Sequence, residues 1–231
     1  MKIAIVPARG GSKRIPRKNV RLFCGKPMIA WTLDALSTSG CFDRILVSTD
    51  DDEVAEIARQ WGADTPFRRP AQLADDHTPT LPVIAHALEW LTSHAEVPVQ
   101  AVCCAYATAP LMQPGDLIQA GRLLEADPAL DYVFTATSFA FPVQRALVRD
   151  GAGVKALFTD SIQRRSQDLE DAFHDAGQFY WGTAEAFRQG RPIFGPCSKP
   201  LLIPRHRVQD IDTPEDWAQA ELMSRASRLT P

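Results

Sequence analysis

Thirty-three residues precede the first carboxylate of the chain, Asp34, and eight of them are lysine or arginine, at positions 2, 9, 13, 14, 17, 18, 21 and 26. The apolar run Ile3-Ala4-Ile5-Val6 leads directly into Pro7-Ala8-Arg9-Gly10-Gly11-Ser12-Lys13-Arg14-Ile15-Pro16-Arg17-Lys18-Asn19. A buried strand that empties into a loop rich in glycine, serine and basic residues is how an α/β protein forms a phosphate pocket at the carboxyl end of its first strand. Gly10 and Gly11 allow close backbone approach and turn N–H groups inward. Ser12 offers a hydroxyl, and Arg9 and Lys18 supply full charges to a triphosphate or a departing pyrophosphate. Neither standard nucleotide signature is met: GxGxxG is absent, and Gly25-Lys26-Pro27 lacks the Ser/Thr and upstream glycine of a P-loop. The competing reading is a solvated basic turn or a nucleic-acid patch. Charge distribution weighs against it. The chain has 25 basic and 28 acidic residues, which leaves 17 against 28 beyond the first 33 residues, so an acidic protein concentrates its positive charge in one loop.

Three further segments carry chemistry-bearing side chains. In Arg69-Pro70-x-x-Leu73-x-Asp75-Asp76-x-Thr78, the proline holds Arg69 at the rim of a sheet, although an isolated arginine of this kind is usually solvated. In Asp210-Ile211-Asp212-Thr213-Pro214-Glu215-Asp216, helix capping accounts for Asp212 or Thr213 as N-cap and Pro214 in the first turn. Capping does not account for Asp210, which shares a face with Asp212 on an extended segment. Two same-face carboxylates beside a phosphate pocket suit Mg²⁺, so capping and metal binding both stand open here. In Ser166–Trp181, polar and aromatic residues alternate, and His174-Asp175 beside Gly177-Gln178 reads as a lining for a polar ligand.

These residues need a scaffold. At 231 residues the chain has room for one large α/β domain, and its 45% apolar content is ordinary for a core. Strand signals at 2–6, 44–48, 64–67 (a short edge strand), 99–105, 132–136, 177–181 and 201–204 alternate with helix signals at 27–37, 51–61, 81–91, 116–125 and 214–225. That alternation predicts an α/β fold with a doubly wound, mostly parallel sheet. The acids Asp51, Asp52 and Glu53 suit a helix N-terminus. Residues 142–149 and 154–158 read as a hairpin around Asp150-Gly151-Ala152-Gly153, so 139–175 is predicted to be an insertion in a single domain spanning 1–231. Five cysteines, with no CxxC, suggest neither disulfides nor zinc, and Cys103 and Cys104 read as core. No apolar stretch is long enough for a membrane span, and Met1–Val6 reads as a strand, not a signal peptide, so a reduced cytoplasm is expected.

Taken together, the segments 7–19, Gly25-Lys26-Pro27-Met28, Phe42-Asp43 with Val47-Ser48-Thr49-Asp50, Arg69-Pro70-x-x-Leu73 and Gln209-Asp210-Ile211-Asp212-Thr213 resemble the nonulosonate cytidylyltransferases, in order and over nearly the whole chain. Tyr106-Ala107-Thr108-Ala109-Pro110 stands where the sialic acid enzymes carry a Gln-Pro-Thr-Ser-Pro-like stretch, and His174–Trp181 replaces their Pro-Asn-Gly-Ala segment. Both variants, with Ser166–Glu170, resemble the branch acting on pseudaminic acid. The resemblance implies a nucleotidyltransferase-type sheet and the reaction CTP plus pseudaminate to CMP-pseudaminate plus pyrophosphate. It implies that Arg9, Gly10, Gly11, Ser12, Lys18, Asn19, Arg69 and Tyr106 hold the nucleotide, with Arg9, Lys18 and Asp212 serving catalysis. It further implies that Asp210 and Asp212 bind Mg²⁺ and that the protein is a homodimer exchanging the 139–175 insertion. Tyr106, His174, Asp175 and Gln178 are the expected sugar selectors. Other 2-keto-3-deoxy sugar acids (sialate, legionaminate, 3-deoxy-octulosonate) are the alternative substrates. A nucleic-acid or membrane partner is not expected.

Overall fold

The first strand, β1 (Lys2–Pro7), is buried on both faces. Its strict alternation sends Ala4 and Val6 into one apolar core and Ile3 and Ile5 into another. In this computed structural model, which describes residues 1–227, β1 lies inside a six-stranded sheet with helices on both sides.

The remaining elements follow in chain order. A small ribbon, β2 (Leu22–Phe23) and β3 (Lys26–Pro27), turns at Cys24 and Gly25, both at positive φ, the geometry of a two-residue hairpin turn of type I′. Then come α1 (Met28–Ser39), β4 (Arg44–Ser48), α2 (Asp52–Gln60), α3 (Thr80–His94), β5 (Ala101–Ala105), α4 (Pro114–Ala126) and β6 (Tyr132–Ser138). The chain continues through β7 (Leu147–Asp150), β8 (Gly153–Ala156), β9 (Phe173–Thr183), α5 (Ala184–Arg188), β10 (Ser198–Leu202) and α6 (Pro214–Ser227). Sheet order is β10-β6-β9-β5-β1-β4. Only β9 runs against its neighbours β5 and β6; the other ladders are parallel. The α/β class and the mostly parallel sheet are as expected.

Because β9 is reversed, its first residues lie beside the carboxyl end of β6, with Asp175 opposite Ala136 and His174 opposite Thr137. Thus β1, β4, β5 and β6 end, and β9 begins, along one edge of the sheet. That is the edge at which open α/β sheets bind ligands.

Three sequence expectations differ from the structure. Asp64–Phe67 is not a strand; it makes one isolated bridge, Leu46 to Asp64, with a second, Thr49 to Arg68, just beyond it, since Pro66 removes a ladder donor between them. The hairpin is shorter than predicted, because a 3-10 turn over Val143–Arg145 takes up its first arm and the turn tightens to Gly151-Ala152, with Gly151 at positive φ. Residues 173–175 belong to β9, so the segment outside the central sheet is 139–172.

Candidate active site

A cavity of about 290 Å³ opens at the carboxyl edge of β1 and β5. Pro7, Arg9, Ser12, Lys18 and Asn19 line it from the basic loop, Arg69 and Tyr106 from the sheet rim, and Asp212 from the far end of the chain. Seven of the candidate residues named from the sequence, on segments some two hundred residues apart, thus line one cavity.

The loop is held in place by its own polar residues. Buried Asn19 donates from Nδ2 to the Arg9 carbonyl at 2.8 Å, and its own carbonyl accepts from Ile29 at 2.9 Å. Arg17, at positive φ, pairs with Asp51 and Glu53 at the start of α2. Asp51 also caps that helix by accepting from the Val54 N–H at 3.0 Å. The Arg17 hydrogen bond leads the effects that hold the Asp51 carboxyl below its usual range, so the structural reading of this acid cluster stands. Gly10 donates its N–H to Asp50 at 3.0 Å, and a Cβ there would meet Asp51 at 2.5 Å. Its glycine character serves packing of the loop on α2, and its N–H is already used. A Cβ on Gly11 meets nothing within 4 Å.

Arg69 is the cavity cation whose charge is most perturbed. It is 5% exposed and donates to Ser48, from Nε to Oγ at 3.1 Å and from the guanidinium to the carbonyl oxygen. Among the described residues it has no salt-bridge carboxylate. Burial, and also the nearby Arg9 charge, lower its pKa to about 10, although Asp50 opposes the shift. A buried guanidinium beside a second cation is poorly compensated until an anion arrives. Arg9 itself pairs with Asp76, as does Lys13, so Asp76 covers the basic loop. Asp76, Lys13 and Arg14 line the cavity and went unread as site residues. The double acid Asp75-Asp76, after a buried-arginine motif and opposite a loop rich in cations, was the available signal.

The acidic corner separates its two roles. Thr213 and Asp216 cap α6 reciprocally: the Thr213 hydroxyl accepts from the Asp216 N–H at 3.2 Å, and Asp216 accepts from the Thr213 N–H at 2.7 Å. Capping thus leaves the side chains of Asp210 and Asp212 unused. Asp212 reaches the basic loop, at 2.9 Å from Arg14 and 3.4 Å from Lys18, and Lys18 also donates to the Ile211 carbonyl at 2.6 Å. Asp210 is an exposed residue outside the cavity lining, yet its carboxyl is crowded: desolvation, then the Asp212 charge, raise its pKa against the pull of Lys18. A carboxylate destabilised by a neighbouring carboxylate is relieved by a cation. No cluster of three or more metal-ligating side chains occurs among the described residues. The two carboxylates of Asp210 and Asp212 could offer oxygen ligands to a hard cation such as Mg²⁺, which would supply positive charge beside the basic loop.

The expected sugar selectors divide. Tyr106 lines the cavity, with its hydroxyl 3.2 Å from Thr80 Oγ1. His174, Asp175 and Gln178 do not. His174 is exposed and leans on Phe139. Asp175 accepts from the Tyr180 hydroxyl at 2.5 Å and from the Gly177 N–H at 3.1 Å. Gln178, 3% exposed, donates to the Arg207 carbonyl at 2.6 Å and leaves its Oε1 buried without a partner. A shifted register within the β6–β9 ladder and a positive φ at Gly177 break the simple alternation that a sequence reading assumes for this strand.

A family profile described as Cytidylyltransferase matches residues 3–150. The pseudaminic acid cytidylyltransferase of Campylobacter jejuni subsp. jejuni serotype O:23/36 (strain 81-176) is 41% identical over 222 residues, covering 96% of this chain and 95% of that protein. The CMP-N,N'-diacetyllegionaminic acid synthase of Legionella pneumophila subsp. pneumophila (strain Philadelphia 1) is 31% identical over 222 residues, covering 95% and 94%. Among solved structures, CMP:2-keto-3-deoxy-manno-octonic acid synthetase complexed with CTP has a TM-score of 0.73 at 15% identity, covering 98% of this chain and 99% of that one, a likeness of fold. The chain belongs to the cytidylyltransferase family and is a nucleotidyltransferase.

Proposed function

We propose that the protein transfers CMP from CTP to pseudaminic acid. The sugar's anomeric oxygen attacks the α-phosphorus, the bond from that phosphorus to the bridging oxygen breaks, and pyrophosphate leaves as the hydroxyl proton is lost. The 41% identity to a pseudaminic acid cytidylyltransferase over nearly the full length of both chains carries this reading. The cation-rich cavity supports it. Arg9, Ser12, Lys18 and Arg69 hold the triphosphate, and the approach of its charge displaces Asp76 from Arg9 and Lys13. Lys18, anchored to the Ile211 carbonyl, is placed to stabilise the leaving pyrophosphate. Asn19 fixes the loop that carries Arg9. Asp210 and Asp212 hold Mg²⁺, which neutralises phosphate charge when bound.

The dimer belongs to the same reading. The segment outside the sheet exposes Phe141, Leu147, Val154, Leu157 and Phe158, and its two-stranded ribbon is too small to be stable alone. We infer that the 139–175 region engages a second copy and helps close its sugar site. Five free cysteines suit a reduced cytoplasm, and no helix among the described residues is long and apolar enough to cross a membrane.

A panel of CTP with pseudaminate, legionaminate, sialate and 3-deoxy-octulosonate, assayed for pyrophosphate, tests the assignment. Pseudaminate should give the highest kcat/KM. Comparable values for sialate would overturn the substrate, and no pyrophosphate with any sugar would overturn the reaction.

A further inference from the structure

Every cation of the basic loop from Arg9 to Lys18 already faces a carboxylate. Arg17 pairs with Asp51 and Glu53, Arg14 and Lys18 with Asp212, and Arg9 and Lys13 with Asp76. Asp51 caps α2, and Asp212 belongs to the carboxylate pair that suits a hard cation. Asp76 has neither use. Its Oδ1 accepts from Arg9 Nη1 at 2.5 Å and its Oδ2 pairs with Lys13 Nζ, so both oxygens sit on cations that line the cavity. The Lys13 hydrogen bond leads the effects that hold the Asp76 carboxyl below its usual range, so it is charged at neutral pH.

The turn that carries Asp76 is closed on itself. Asp75 accepts from the His77 N–H at 2.9 Å and from the Thr78 N–H and hydroxyl, both at 2.6 Å. Among the described residues, the only hydrogen bonds and ion pairs from residues 71–78 to residues 8–19 are those of Asp76. The link is therefore two partly exposed ion pairs, each weak enough for an incoming phosphate to break. We propose that Asp76 is an internal competitor for phosphate: it occupies Arg9 and Lys13 in the empty enzyme, gives way to the triphosphate of CTP and returns as pyrophosphate leaves. A site that is open for only a fraction of the time binds each such ligand more weakly by that fraction. Pyrophosphate has only phosphate contacts to make, so its binding reports this competition most directly, and the consequence for the enzyme is weaker product inhibition. The inference rests on the cytidylyltransferase reading of the cavity and gives Asp76 a role at the end of the reaction cycle.

Pyrophosphate binding is measured by calorimetry without Mg²⁺ or nucleotide, for the unmodified protein, Asp76→Asn and Asp75→Asn. Both substitutions lie at exposed positions, so the fold is kept. Asp76→Asn should lower the Kd about fivefold, the scale of two exposed ion pairs, and should lower the inhibition constant of pyrophosphate against CTP by about the same factor. Asp75→Asn removes the same charge one residue away, from a carboxylate that makes no salt bridge among the described residues, and keeps a carbonyl oxygen for the His77 and Thr78 N–H groups. Its Kd should stay within twofold of the unmodified protein. Equal tightening in both variants would reduce the effect to general charge repulsion and overturn the proposal. Unchanged or weaker binding by Asp76→Asn would also overturn it, because Asp76 would then be idle or would hold Arg9 and Lys13 ready for the ligand. Inactivity of the unmodified enzyme with CTP and every sugar would instead overturn the reaction assignment, and the calorimetric comparison is read independently of that result.

Discussion

Arg69 sets stability against function. Lowering a guanidinium to a pKa of about 10 corresponds to on the order of 3 kcal/mol of unfavourable environment for the charged form at neutral pH. A basic group depressed in the folded state destabilises below its folded pKa, and that cost fades only as the pH climbs from about 10 toward the unfolded value. Arg69→Met should therefore raise the apo thermal midpoint by roughly 2–4 °C, after allowing for the lost bonds to Ser48. It should also abolish the extra stabilisation that CTP gives the unmodified protein; a lower apo midpoint would mean that Arg69 is a structural anchor. The acidic pair is tested at the same scale. Asp210→Asn or Asp212→Asn should raise the Mg²⁺ concentration for half-maximal turnover more than tenfold while leaving the Thr213–Asp216 cap intact. An unaltered magnesium optimum in the double variant refutes the metal assignment. The sequence singled out this pair because capping did not account for Asp210, and in the structure Thr213 and Asp216 make the cap, using neither. Asp76 was marked only by the Asp75-Asp76 doublet, since nothing in its local sequence says that its loop folds back over Arg9 and Lys13.

The elements were legible where one periodicity governed them. The buried strand at the start of the chain and the acids that open α2 needed no tertiary knowledge. The failures fall where a single residue changes a rule: Pro66 dissolves an expected strand, and a register shift with Gly177 re-aims β9, so that Asp175 and Gln178 face the protein and not the cavity. The loop glycines offer a contrast at this scale. Sequence reasoning assigned Gly10 and Gly11 the same phosphate role, yet a Cβ on Gly10 collides with Asp51 at 2.5 Å and one on Gly11 meets nothing. Gly10→Ala should displace Asp51, uncap α2 and loosen Arg17, costing about 1–2 kcal/mol in chemical denaturation together with most of the activity. Gly11→Ala should leave stability within about 0.5 kcal/mol, since surface changes away from such contacts are mild. Equal losses in both variants would return the glycines to a shared role at the phosphates.

At the scale of the molecule, the open issue is why an enzyme with its cavity on one sheet edge carries a segment that buries so little of itself. Phe141 of this segment is 82% exposed, and Leu147 and Val154, on opposite arms of the β7–β8 ribbon, are more than half exposed. A ribbon of this size buries little apolar surface to offset the entropy of ordering it, which is the ground for the partner surface proposed above. A second copy is the economical partner, because a twofold contact places each ribbon against its neighbour without altering the sheet. Phe141→Asp combined with Val154→Asp should convert a dimer into a monomer by light scattering at micromolar concentration. The change lies outside the basic loop, so the KM for CTP should stay near normal. If the ribbon helps close the neighbour's sugar site, the KM for pseudaminate should rise about tenfold or more in the monomer, and concentrating the monomer should not restore it. A monomer with an unchanged sugar KM would confine the segment to assembly. An unmodified protein that is monomeric and fully active would remove the partner altogether, leaving an exposed apolar ribbon that the fold itself does not require.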